Sequence, residues 1–90
     1  MKTLDHTGSF NRDLKRVTKR GYDLTKLAII LRLLQTDTPL PASNRPHALK
    51  GRWSGFLECH IAPDWLLIYQ TEPTRVILAR TGTHSDLFGK

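Results

Sequence analysis

The segment His60-Ile-Ala-Pro-Asp64-Trp65 sets an imidazole and a carboxylate four residues apart, either side of a proline, at the mouth of an apolar run. Of the chain's four histidines, His47, His60 and His84 follow residue 46, and each falls near the edge of an expected strand or turn. Asp64 and Asp86 lie near two of them, and Glu58 shares a strand face with His60 by alternation. In an antiparallel meander, points distant in sequence come together, so His47, His60, Asp64 and His84 are expected to converge. The chemistry open to such a group is cleavage of an RNA phosphodiester. That reaction removes a proton from a 2′-OH, supports charge on a phosphorane and protonates the leaving 5′-oxygen. An imidazole titrating near neutrality can act as base or acid. RNA supplies its own nucleophile, so neither serine nor cysteine is needed for attack. Lys50, Arg52 and Arg80 are candidates to hold phosphate oxygens and stabilise charge in the transition state. Trp65, Phe88 and Tyr69 offer rings on which a splayed base can stack.

Each residue also has a plainer reading. A histidine in a loop can simply be solvated, Asp64 after proline suits a turn, and Trp65 on a strand suits a core. An RNA-cleaving surface, a nucleic-acid binder and a protein-binding module therefore all remain open. Three histidines and an aspartate raise the question of zinc, but HExxH, CxxC and other close ligand pairs are missing. No metal and no other cofactor is expected.

The chain has 90 residues and a net charge of +6, with a pI of about 10.0. Ninety residues amount to one domain with one small core, so a single domain over 1–90 is expected, with its chemistry on an open concave face. A small basic domain suits a polyanionic partner. Residues 1–45 carry nine Lys/Arg against four Asp, whereas 46–90 carry five against four acidic residues, so the excess lies in the first half. The single cysteine, Cys59, excludes an internal disulfide and reads as a buried small hydrophobe in a reducing compartment. The start MKTLDHTGSF has no apolar h-region, and no apolar stretch is long enough to span a bilayer. A soluble cytoplasmic protein without membrane contact is expected.

The elements that must position the histidines follow from periodicity. KTLDH reads as a short extended segment. Phe10, Leu14 and Val17 fall at i, i+4 and i+7, one helical stripe, with Thr7 or Ser9 as its cap and Gly21 as its stop. Arg12, Lys15, Arg16, Lys19 and Arg20 fall on the opposite side. Asp23 can cap a second helix, LTKLAIILRLLQ, with Leu24, Leu27, Ala28, Leu31 and Leu34 toward the core and Ile29, Ile30 and Leu33 away from it. TDTPLPASNRPH reads as a loop. GFLECHI, WLLIYQ and RVILART then read as three antiparallel strands joined by the turns APD and TEPT. In GFLECHI, Phe56, Glu58 and His60 alternate with Leu57, Cys59 and Ile61. The fold class is α+β in the order β-α-α-β-β-β, with a terminal turn. A helical hairpin covers one face of an antiparallel sheet and the other is left open for an extended polyanion.

PHALKGRWSGFLECHIAPDWLLIYQ followed by ARTGTHSDLFG resembles the YafQ branch of the RelE/ParE superfamily of toxin–antitoxin systems. The linked motifs P-H-x-L-x-G-x-W-x-G, H-x-x-P-D-W-x-L-I-Y and R-T-G-T-H-x-x-L-F-G are far more specific together than apart. The resemblance implies a RelE/ParE-like fold and a ribosome-dependent endoribonuclease. Such an enzyme enters the ribosomal A site and cuts mRNA through its own 2′-OH, without metal. By motif position it implies functional roles for His47, His60, His84 and Asp64, with Trp65 beside it and Phe88 as the terminal aromatic. Many RelE-type chains carry an arginine where this one has Leu57, so phosphate charge would be met elsewhere, by Lys50, Arg52 or Arg80. The implied partners are ribosomal RNA, mRNA and a ribbon-helix-helix type antitoxin, with operator DNA reached only through the toxin–antitoxin complex. The alternatives are a non-catalytic toxin of the same fold, which poisons a protein target as ParE toxins do gyrase, and a plain nucleic-acid-binding module.

Overall fold

A computed structural model describes residues 1–89. The first helix, α1 (Gly8–Lys19), starts where the sequence places it: the Thr7 side chain accepts the Phe10 N–H at 3.0 Å. Phe10 and Val17 are fully buried on its apolar stripe, and Gly21 turns the chain away at φ 79°. Asp23 caps α2 (Leu24–Gln35), accepting the Thr25 N–H at 3.0 Å.

The core stripe of α2 differs from the expected one. Leu27, Ile30 and Leu34 are buried and Leu31 packs against them, while Leu24, Ala28 and Ile29 face solvent. A helix this rich in Leu and Ile carries two overlapping stripes of period 3.6. Packing against the sheet selects the one that runs i, i+3, i+4, i+7 from Leu27.

Five strands form one sheet: β1 (Thr3–His6), β2 (His47–Ala48), β3 (Leu57–Ala62), β4 (Trp65–Thr71) and β5 (Arg75–Gly82), in the order β1-β5-β4-β3-β2. β1 pairs with β5 in parallel and all other pairs are antiparallel. A short helix α3 (His84–Phe88) follows β5 directly. The α+β class and the strand–helix order are as expected. The two-residue β2 is additional, because a pair of residues carries too short a period to be recognised.

The helices pack on one face of the sheet, over Cys59, Ile61, Trp65, Leu67, Tyr69, Val76 and Leu78. The opposite face is not bare, which corrects the expectation. Leu66, Ile68, Ala79 and Leu87 form a second, smaller core there, and Leu49, Trp53 and Phe56 pack against it. The strands are apolar on both faces, so the 49–56 segment and α3 must fold over that side to exclude water.

Candidate active site

The β3–β4 hairpin carries His60 at the end of β3 and Asp64 in its turn. A bulge between His60 and Ala62 marks where the ladder loosens. The first residue of α3, His84, is drawn to that turn. Its backbone N–H donates to Asp64 Oδ1 at 3.0 Å, and its Nδ1 lies 2.7 Å from the same oxygen. The backbone N–H first, and the ring second, hold the Asp64 carboxyl below the usual carboxylate range. An ionised carboxylate only accepts, so Nδ1 carries the proton and Nε2 is the free nitrogen of His84. The His60 ring lies 5.9 Å from that of His84, centre to centre. Its Nδ1 faces the Pro63 carbonyl at 3.4 Å, which likewise turns Nε2 outward. Phe88, one helical turn beyond His84, lies 6.4 Å from its ring and is partly exposed.

Charged pairs reach α3 from the far side of the sheet. Thr83 and Asp86 form a reciprocal capping box at its start. Asp86 also accepts both prongs of Arg20, at 2.6 and 3.0 Å, which drives its carboxyl far below the ordinary range. Gly82, at φ 150°, leaves room for this carboxylate: a Cβ there would sit 2.8 Å from Asp86 Oδ2. Arg16 stands 3.6 Å from both Asp86 and the buried Asp13. Asp13 takes Arg80 at 2.6 and 3.1 Å and the Thr81 N–H at 3.2 Å. Two of the five cations on the outer face of α1 are therefore spent inside the molecule. Arg12, Lys15 and Lys19 have no carboxylate partner among the described residues.

His47 stands apart from this cluster. It pairs with Glu58 across β2 and β3, with Nε2 3.3 Å from Oε1 and Nδ1 2.9 Å from the Arg45 carbonyl. Glu58 is only 5% exposed. Both ring nitrogens thus face acceptors, and both bonds form together only when the ring carries two protons or the carboxyl carries one. Of the four groups expected to converge, the structure joins His60, Asp64 and His84 directly. His47 stands one step along β3, beside Glu58.

Lys50, Arg52 and Phe88 line one cleft of about 500 Å³ with Gly51, Trp53 and Leu87. Trp53 is an aromatic that the sequence reading did not single out, although it belongs to the G-x-W motif; its ring packs edge-on to Phe56. Trp65 is not a stacking platform. It is 3% exposed, packs edge-on to Tyr22 on the helix side and donates its N–H to Thr81 Oγ1 at 2.9 Å. Tyr69 is likewise buried, and burial pushes its phenol up to about 12. Strand alternation places both on the helix face with Leu67, a register that a short apolar run leaves open. Arg80 is no free phosphate ligand either, because its fork is occupied by Asp13. Leu57 packs with the helix-side core rather than facing the histidines. Cys59 is fully buried, with its thiol pushed up to about 12 mainly by desolvation.

The model for bacterial toxins of type II toxin–antitoxin systems, YafQ, matches residues 2–89. The chain belongs to the YafQ family. The mRNA interferase toxin YafQ of Escherichia coli K12 is 40% identical over 87 residues, 96% of this chain and 95% of that protein. A copper-bound mutant toxin from Helicobacter pylori superposes with a TM-score of 0.93 at 39% identity, covering 98% of this chain and all of that one. YafQ in the E. coli DinJ–YafQ complex superposes with a TM-score of 0.89 at 38% identity, over 99% of this chain and 100% of that one. In this YafQ-family chain, no group of three or more His, Cys, Asp or Glu among the described residues is arranged to hold a metal ion.

Proposed function

We propose that the chain is a ribosome-dependent endoribonuclease that cuts mRNA in the A site, with His60 and His84 as its proton-transfer pair. As a member of the YafQ family it is a type II toxin and an mRNA interferase. The observation that carries the mechanism is the His84–Asp64 bond. It spends Nδ1 on an ionised carboxylate and leaves Nε2 free, 5.9 Å ring to ring from His60. One imidazole takes the 2′-OH proton as that oxygen attacks phosphorus. The other protonates the 5′-oxygen as its bond to phosphorus breaks, leaving a 2′,3′-cyclic phosphate and a 5′-hydroxyl. Asp64 orients His84 and steadies its imidazolium. His47 has both nitrogens engaged, so it supports the charge of the phosphate instead of transferring a proton to or from the substrate. Lys50 and Arg52 hold phosphate oxygens, and Phe88 with Trp53 offers rings to a splayed base.

Arg12, Lys15 and Lys19 give α1 a cationic face for ribosomal RNA. The relative solved with DinJ supports an antitoxin partner here; our reading makes that partner a ribbon-helix-helix protein and routes operator DNA only through the pair. No helix among the described residues is long and apolar enough to cross a membrane. Primer extension on mRNA from arrested cells tests the reading. Discrete cuts at codon positions are expected, and none with His84→Ala. Growth arrest without cuts would instead mark a non-catalytic inhibitor of a protein target.

A further inference from the structure

His60 has a second neighbourhood, one that His84 does not line. A cleft of about 410 Å³ opens there, lined by His60 with Pro63, Lys26 of α2, and Ser43, Asn44 and Arg45 of the 36–46 loop. The loop is fastened to β3: Asn44 Nδ2 donates to the His60 carbonyl at 2.8 Å. Arg45 holds a left-handed backbone, φ 50° and ψ 53°, a conformation that is strained for a non-glycine residue. Its carbonyl meets His47 Nδ1 at 2.9 Å, so the strained residue links the cleft to the second histidine.

Neither cation of this cleft is neutralised. Lys26 and Arg45 are exposed, and neither has a carboxylate partner among the described residues. Each of the chain's eight Asp and Glu side chains is engaged elsewhere, in an ion pair or a helix cap. Two uncompensated cations beside a histidine raise the local positive potential, and a planar guanidinium with an ammonium is a suitable pair for one phosphate.

We propose that the Lys26–Arg45 cleft is a second phosphate subsite, which holds the RNA backbone next to the scissile link on the His60 side. The Lys50–Arg52–Phe88 cleft holds the strand on the other side of the histidines, so the message crosses His60 and His84 between two cationic seats. The inference rests on the reading of the histidine surface as an RNA site. It adds a subsite to that surface and makes Lys26 and Arg45 substrate-binding residues.

Binding of a short 2′-O-methyl RNA, which cannot be cleaved, to the purified chain tests it by fluorescence anisotropy over a range of NaCl concentrations. Lys26→Gln/Arg45→Gln is expected to weaken binding several-fold at low salt. It should also reduce the slope of log affinity against log salt by about 1.4, about 0.7 for each lost single-strand contact. Arg32→Gln/Arg75→Gln removes the same charge at residues that line neither cleft and should change the slope less. Equal effects from the two pairs would overturn the subsite, leaving net charge as the cause. An unchanged Lys26→Gln/Arg45→Gln variant beside a weakened Lys50→Gln/Arg52→Gln variant would also overturn it, while sparing the RNA surface as a whole. If neither pair mattered, the RNA reading of the surface would fall too. Loss of binding to a polyglutamate peptide with RNA affinity intact would overturn the subsite in favour of an acidic protein segment.

Discussion

The molecule contains two histidine–carboxylate pairs, one across strands β2 and β3 and one between the β3–β4 turn and α3, and they are built to opposite designs. His84 and Asp64 are both largely exposed, with side chains 49% and 63% accessible, and one imidazole nitrogen stays free. His47 is as exposed as His84, but its Glu58 partner is 6% accessible and neither nitrogen is free. The first pair can pass a proton to a bound substrate. The second can pass one only by breaking an internal bond, and it leaves a buried carboxylate unpaired when it does. Residue type alone therefore does not assign the role; the free valence of the ring does.

Deleting the free nitrogen should have the largest effect. His84→Ala is expected to lower the cleavage rate by about 10²–10⁴-fold. Antitoxin binding and the circular dichroism spectrum should stay unchanged, and a fully toxic variant would refute the assignment. Asp64→Asn should lower kcat by a smaller factor, about 10–100-fold, the usual cost of losing a partner that orients a ring. Because His84 keeps the Asp64 carboxyl ionised below its ordinary range, Asp64 should add no acid limb to the wild-type pH–rate profile in the ordinary carboxylate range. An acid limb in the range of an ordinary carboxylate would count against this arrangement.

The Glu58 pair should respond more in stability than in rate. Glu58→Gln is expected to cut activity less than tenfold yet lower Tm by several degrees. A double-mutant cycle with His47→Gln should return a coupling of about 0.5–3 kcal/mol. Zero coupling would show that the two side chains act independently.

Asp86→Asn should have the smallest effect on rate, acting only through the seat of α3. The folded-state pKa of Asp86 is depressed by Arg20, so its contribution to stability is complete above the unfolded aspartate value near 4. That contribution fades as pH falls through the folded pKa. Acid unfolding of the wild type should therefore be steeper than that of Asp86→Asn, in urea melts taken below about pH 4. Identical acid profiles would show that the Arg20 clamp adds nothing.

Part of this site was legible beforehand. The motif around His60 and Asp64, and His84 after the last strand, followed from residue type, strand alternation and short turns. The Arg20–Asp86 and Arg80–Asp13 pairs did not, because their partners lie 66 and 67 positions apart and no local period links them. Arg80 looked free on a strand, but α1 presents Asp13 beside it. Trp65 looked like a platform because it adjoins Asp64, yet the next position in a strand always points to the other face. Trp53 lies in a three-residue turn, Gly51–Trp53, which carries no periodic signal that would place its ring in the cleft.

The sequence by itself determined the helices with their caps, the three-strand meander, the burial of Cys59 and the residue types available for proton transfer. These depend on neighbours within a few positions, where propensity and periodicity act. Only the tertiary structure decided which α2 stripe is inside, which arginines are spent on carboxylates and which histidine keeps a nitrogen free. Those outcomes depend on what one element meets on another, and a one-residue change of register or a slight helix rotation reverses them without altering any local preference.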